Sequence, residues 1–130
     1  MSGRYVSFAR RASYRCEYWR APEQLVNSVF EIEHIYPRSL GGSDDDSNLA
    51  FACPCCNRRK SARATARDGL TGEEQFLFNP RTDRWIEHFR LDSDSGRIEG
   101  ITAVGRATVV ALDMNQPKQI GARLIWIGLR

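Results

Sequence analysis

One stretch constrains this chain more than any other. It runs Glu33-His34-Ile35-Tyr36-Pro37, then Gly41-Gly42, Asn48-Leu49 and Cys53-Pro54-Cys55-Cys56-Asn57, and ends in Arg58-Arg59-Lys60. An acid stands beside a histidine, two amides follow, and a basic run closes the set. Proline and paired glycines between them punctuate the chain too often for one long regular element. The stretch can fold back on itself, which would bring its polar side chains into close quarters.

The flanking pattern says how. Phe30-Glu31-Ile32 alternates as a strand running into Glu33-His34. Arg38 to Ser43 reads as a loop, and Asn48 to Ala52 as a short second strand. Pro54 suits the first turn of a helix, which the pattern carries through Arg58 and Lys60 to about Arg67, where Asp68-Gly69 stops it. The central order is strand, loop, strand, helix, an arrangement able to pinch one metal ion between hairpin and helix. Before it, Gly3 to Ser13 reads as a helix with Tyr5, Phe8 and Ala12 on one side, and Cys16 to Trp19 as a turn. After it, Leu70 to Arg81 links to a tail. There Arg84–Leu91 and Arg97–Ile101 read as a β-hairpin joined at Asp92 to Gly96. Thr102 caps a helix through Leu112, and Pro117 opens a last helix bearing Ile120, Leu124 and Ile127.

The expected class is α+β. At 130 residues the chain suits a single domain, with a core at about 14–67 and an extension at about 70–130. No segment is apolar and long enough to span a membrane. The N-terminus lacks the apolar run of a secretory leader, so a cytoplasmic protein is expected. Net charge is only +3, but Arg58, Arg59, Lys60, Arg63 and Arg67 crowd the centre, while acids gather at Asp44-Asp45-Asp46.

These residue types match one chemistry. Metal-assisted cleavage of a phosphodiester needs an acid and an amide to hold the ion, a base to deprotonate water, and cations to hold phosphate. Histidine suits the base, because its ordinary pKa of about 6.5 leaves much of it neutral at cellular pH. Oxygen donors favour Mg²⁺ or Mn²⁺ over zinc. Each residue also has a plainer reading. A lone histidine is commonly a packed or surface imidazole; His34 is distinguished by its neighbours, whereas His88 reads as structural. Asn48 and Asn57 could cap turns or the helix. Arg59, Arg63 and Arg67 would form one helical stripe, either a solvated face or a phosphate-backbone contact.

With these residues placed, the chain resembles the HNH endonucleases, nucleases with a ββα-metal site. The resemblance rests on Phe30 to Gly42 and on Asn48 to Lys60, with Asn57 where the family's last histidine is often replaced. Looser likeness runs through Phe78-Asn79-Pro80-Arg81 and Gly105 to Thr108, as in one bacterial branch. It implies a ββα-metal core with an N-terminal helix and a C-terminal hairpin plus helices. It implies a DNA endonuclease leaving 5′-phosphate ends. His34 would be the general base, Glu33 and Asn57 the ligands of one divalent cation, and Asn48 the loop residue orienting His34. Arg38, Arg58, Arg59, Lys60 and Arg63 would lie along the nucleic acid.

The pattern breaks at one place. The family's structural zinc is usually held by two Cys-x-x-Cys pairs. Cys53 and Cys56 form the second, but Cys16 is followed three positions later by Trp19. Indole has no lone pair for a metal. Cys55 could supply a fourth thiolate, another group or water could complete a three-cysteine site, or zinc is absent and Trp19 packs in its place; the last is preferred. Two rivals to the nuclease remain. One is the same scaffold binding nucleic acid without cutting. The other is a zinc-stabilised module for protein partners, against which the intact acid-histidine pair and the broken knuckle both argue.

Overall fold

Tyr5, Phe8, Ala9 and Ala12 recur at helical spacing, and Gly3–Arg11 is the first helix, α1, with Phe8 and Ala9 buried. The computed structural model describes residues 3–129. Met1, Ser2 and Arg130, which belong to the expected single domain and, for the first two, to the reading of the N-terminus, lie outside them. The chain divides into two compact units. One runs to Ala64 and takes in Asn79–Arg81; the other takes Thr65–Phe78 and the chain from Thr82 on. No helix among the described residues is long and apolar enough to cross a membrane.

In the first unit, β1 (Glu31–His34) and β2 (Leu49–Ala52) form an antiparallel hairpin in which Glu33 faces Ala50 and His34 faces Leu49. The wide loop between them is closed by 3₁₀ turns at Arg38–Leu40 and Asp46–Asn48. Gly42 is obligatory there: a Cβ would fall 1.8 Å from the Tyr36 carbonyl oxygen. All four residues of β2 are buried. Phe51 is central, with Phe30 5.3 Å away and Tyr5 5.4 Å away, ring to ring.

Pro54 opens α2 (Pro54–Lys60), capped by the Cys53 side chain accepting from the Cys56 N–H. The expected run of this helix to Arg67 is corrected. Ser61 takes a left-handed φ of 52°, and the Arg63 guanidinium donates to the Arg59 and Lys60 carbonyls at the helix end. Arg59, Arg63 and Arg67 therefore do not form a helical stripe, because Arg67 lies on a strand of the other unit.

In the second unit, β3 (Thr65–Arg67) pairs with β4 (Glu74–Phe76), and β5 (Phe89–Leu91) with β6 (Ile98–Gly100), both antiparallel. The expected strand from Arg84 is instead a short helix, α3 (Trp85–His88), leading into β5. His88 ends that helix with Nδ1 2.6 Å from the Thr102 hydroxyl. Thr102 caps α4 (Ala103–Ala111) by accepting from the Gly105 N–H, and α5 (Pro117–Gly128) follows. The buried Asp68 carboxylate receives two bonds from Arg106, each 2.9 Å, and a third from the Thr71 hydroxyl.

Candidate active site

Side chains alternate along a strand, and β1 uses both faces. Glu33 points inward and is 5% exposed. Its Oε1 accepts from the Tyr18 hydroxyl, and its Oε2 lies 3.2 Å from the Lys60 ammonium. Lys60 also donates to the His34 carbonyl at 2.9 Å. Burial pushes the Glu33 carboxyl up, against the opposing pull of Lys60 and Tyr18. Burial, then the Glu33 charge, pushes the Tyr18 phenol well up. Lys60 is 1% exposed, so its expected place along a phosphate backbone is corrected: it neutralises Glu33 instead.

His34 points the other way, into the loop. Its Nε2 lies 2.7 Å from Asp44 Oδ1, and Arg38 Nε is 3.7 Å from the same oxygen. The Asp44 carboxyl is held below its ordinary range, first by the bond with His34 and then by the Arg38 charge. Asn48 does not touch the imidazole in any hydrogen bond among the described residues. It clasps the loop: Oδ1 accepts from Tyr36 N–H at 2.8 Å, and Nδ2 donates to the Tyr36 and Ser43 carbonyls at 3.0 and 2.8 Å. Ser43 adjoins Asp44, so the clasp sets the residue that meets His34.

Asn57, one turn into α2, donates from Nδ2 to Glu31 Oε1 at 3.1 Å. Glu31 is exposed, two residues before Glu33 on the same face of β1. Glu33, His34, Arg38 and Asn57 line one open cleft of about 310 Å³ together with Ser61. Arg58 and Arg63 are exposed, and Arg59 is half-buried. Asp44 and Glu31 are the residues that sequence reasoning missed. The sequence shows Asp44 to Asp46 only as a gathering of acids, with nothing to single out Asp44. Glu31 was hidden behind the more conspicuous Glu33-His34 pair.

A separate cluster stands at the start of α2. The sulfurs of Cys16, Cys53 and Cys56 all lie within 4.8 Å of one another, buried, within reach of a single metal ion. Cys55 is half-buried and lies outside this cluster, so the structure does not bring it in as the fourth thiolate, one of the three outcomes left open by the sequence. Cys53 is the acceptor of the group, taking the Trp19 indole N–H at 3.1 Å and the Cys56 backbone N–H at 3.4 Å. Hydrogen bonds from Cys16 and Cys56 hold the Cys53 thiol down. Burial, above all, pushes Cys16 up.

The family model described as HNH endonuclease matches residues 16–63. The match spans the sulfur cluster, the hairpin, its loop and α2. No curated protein matches the chain, and no solved structure does.

Proposed function

We propose, from the match of residues 16–63 to the HNH endonuclease family, that the chain hydrolyses phosphodiester bonds in DNA with one divalent cation and with His34 as general base. The observation that carries this reading is the convergence of His34, Asn57 and Arg38 on one open cleft, with His34 held from behind by Asp44.

An ionised carboxylate only accepts hydrogen bonds. In the neutral imidazole the ring proton of His34 would then sit on Nε2, against Asp44, and leave the Nδ1 lone pair to take a proton from water. Arg38 at the cleft and the exposed Arg58 give positive charge for the phosphate backbone, which positions a strand without reading its sequence. The oxygen donors at the cleft suit a hard cation of the Mg²⁺ or Mn²⁺ class. Asn57 would hold it with a carboxylate of β1, either Glu33 or Glu31, which already touches the Asn57 amide. Bound there, the cation would neutralise charge building on the phosphate and the leaving oxygen.

One observation favours a second reading. Both Glu33 oxygens are engaged, by Tyr18 and by Lys60, which suits a scaffold that binds nucleic acid without cutting it. Supercoiled-plasmid cleavage in Mg²⁺, Mn²⁺ or EDTA separates the two, beside His34→Ala and Glu31→Ala variants. Metal-dependent nicking or linearisation that disappears in His34→Ala supports the nuclease. A folded protein that shifts DNA in a gel and cuts under no metal supports binding alone.

A further inference from the structure

The sulfur corner has the makings of a metal site and one feature that spoils it. Structural zinc is bound by four ligands in a tetrahedron, each offering a lone pair. Here three sulfurs converge, and the fourth side is taken by Trp19, whose Nε1–H points at Cys53 Sγ from 3.1 Å. An indole N–H donates a hydrogen bond and cannot ligate. Cys16, Trp19, Cys53 and Cys56 are each no more than 5% exposed, so no open side is left for water to serve as the missing ligand. The donor set does not fit tetrahedral zinc.

The turn that a metal would otherwise clamp is tied by other means. Cys16 N–H donates to the Ala21 carbonyl and Arg20 N–H to the Cys16 carbonyl, both at 2.9 Å. Between them, Glu17 pairs with Phe51 in both directions: its N–H donates to the Phe51 carbonyl, and its carboxylate accepts the Phe51 N–H, each at 2.9 Å. Arg81 pairs with the same carboxylate. Tyr18 carries its hydroxyl to Glu33. The turn is thus joined to β1, β2 and the start of α2 by hydrogen bonds that need no metal.

We propose that this corner is a metal-free sulfur core, in which the Trp19–Cys53 hydrogen bond takes the place of a metal–thiolate link between the Cys16–Ala21 turn and α2. Cys16 and Cys56 serve as small, polarisable packing groups around the accepting Cys53 sulfur. The identity of residue 19 is what excludes the ion. A cysteine there would complete two Cys-x-x-Cys pairs around the same centre.

The test is metal content and thermal stability of the full chain, independent of any cleavage assay. The wild-type protein, incubated with equimolar Zn²⁺ and desalted, is expected to keep well under one zinc per chain, with a melting temperature that a strong chelator leaves unchanged. Trp19→Cys is expected to keep one zinc per chain and to melt several degrees lower when the chelator is added. Trp19→Phe preserves the ring and removes only the N–H. It is expected to stay metal-free, melt lower than wild type, and expose its buried thiols faster to a thiol reagent. Stoichiometric zinc on the wild-type chain, lost to the chelator together with stability, overturns the proposal. So does a folded Trp19→Cys that takes up no zinc.

Discussion

The two ends of the α2 region are built on opposite terms. At its start, Cys53 and Cys56 sit in a closed corner where every donor turns inward and nothing faces solvent. One turn later, Asn57 opens onto a cleft with His34 and Arg38. In the proposed nuclease, the closed end would carry scaffold and the open end chemistry. Changes at the closed end should therefore be read as stability, and changes at the open end as turnover with the fold intact.

The sharpest way to break this division is His34→Ala. Loss of a positioned general base commonly costs roughly 10²- to 10⁴-fold in rate, and plasmid cleavage should fall by that much. Because the side-chain hydrogen bond of His34 goes to the exposed Asp44, and its backbone bonds survive the substitution, urea unfolding should be nearly unchanged. A large loss of stability would place His34 in the scaffold instead.

Lys60→Met tests the boundary between the two ends, since Lys60 stands behind the cleft but inside the core. It leaves the buried Glu33 carboxylate without its cation. Breaking one side of a buried pair costs about 3–5 kcal/mol, to be measured by urea unfolding. Adding Glu33→Gln should recover much of it. A loss below about 1 kcal/mol would mean that the pair is effectively solvated and that Glu33 is free to meet a cation at the cleft.

Gly42→Ala probes the loop that links the two readings. Its new Cβ would overlap the Tyr36 carbonyl oxygen, 1.8 Å away, so the backbone must move. Overpacking of this kind costs about 1–3 kcal/mol. The shift should also displace the neighbouring Ser43–Asp44 segment, so cleavage should drop by more than the stability loss alone explains. Equal melting temperature and equal cleavage to wild type would show that the loop is free to rearrange.

What could be read from the sequence follows the same division. The hairpin and the opening of α2 were legible, because alternation in Phe30 to His34 and a proline at the helix start are local signals. The end of α2 was not. Arg59, Arg63 and Arg67 keep helical spacing, yet Ser61 turns left-handed, a conformation that nothing in its residue type announces. The helix at Trp85–His88 hid inside a stretch whose aromatic and branched residues suit a strand equally well. The burial of Glu33 depends on Tyr18 and Lys60, partners remote in sequence, and no periodicity encodes such a meeting. Trp19 was conspicuous as a break in the cysteine spacing, but only the folded chain shows its N–H aimed at Cys53.

The smallest effect is expected from Asp44, which separates orientation from chemistry at the open end. Asp44→Asn keeps the shape of the side chain and removes its charge. Exposed pairs of this kind contribute little, so cleavage should fall only about two- to five-fold, mainly in turnover rather than in DNA affinity. The remaining effect should shrink as salt rises, because the contact is open to solvent. There is also a pH signature. The Asp44 carboxyl is held below its ordinary 3.8, so its contribution to stability is present above that value and is lost as pH falls through the lowered one. Wild type should therefore lose stability more steeply than Asp44→Asn in the acid range below 3.8, and the two curves should run parallel near neutrality. Parallel curves throughout, with unchanged turnover, would reduce Asp44 to a surface charge and leave the imidazole to be oriented by the loop backbone that Asn48 clasps.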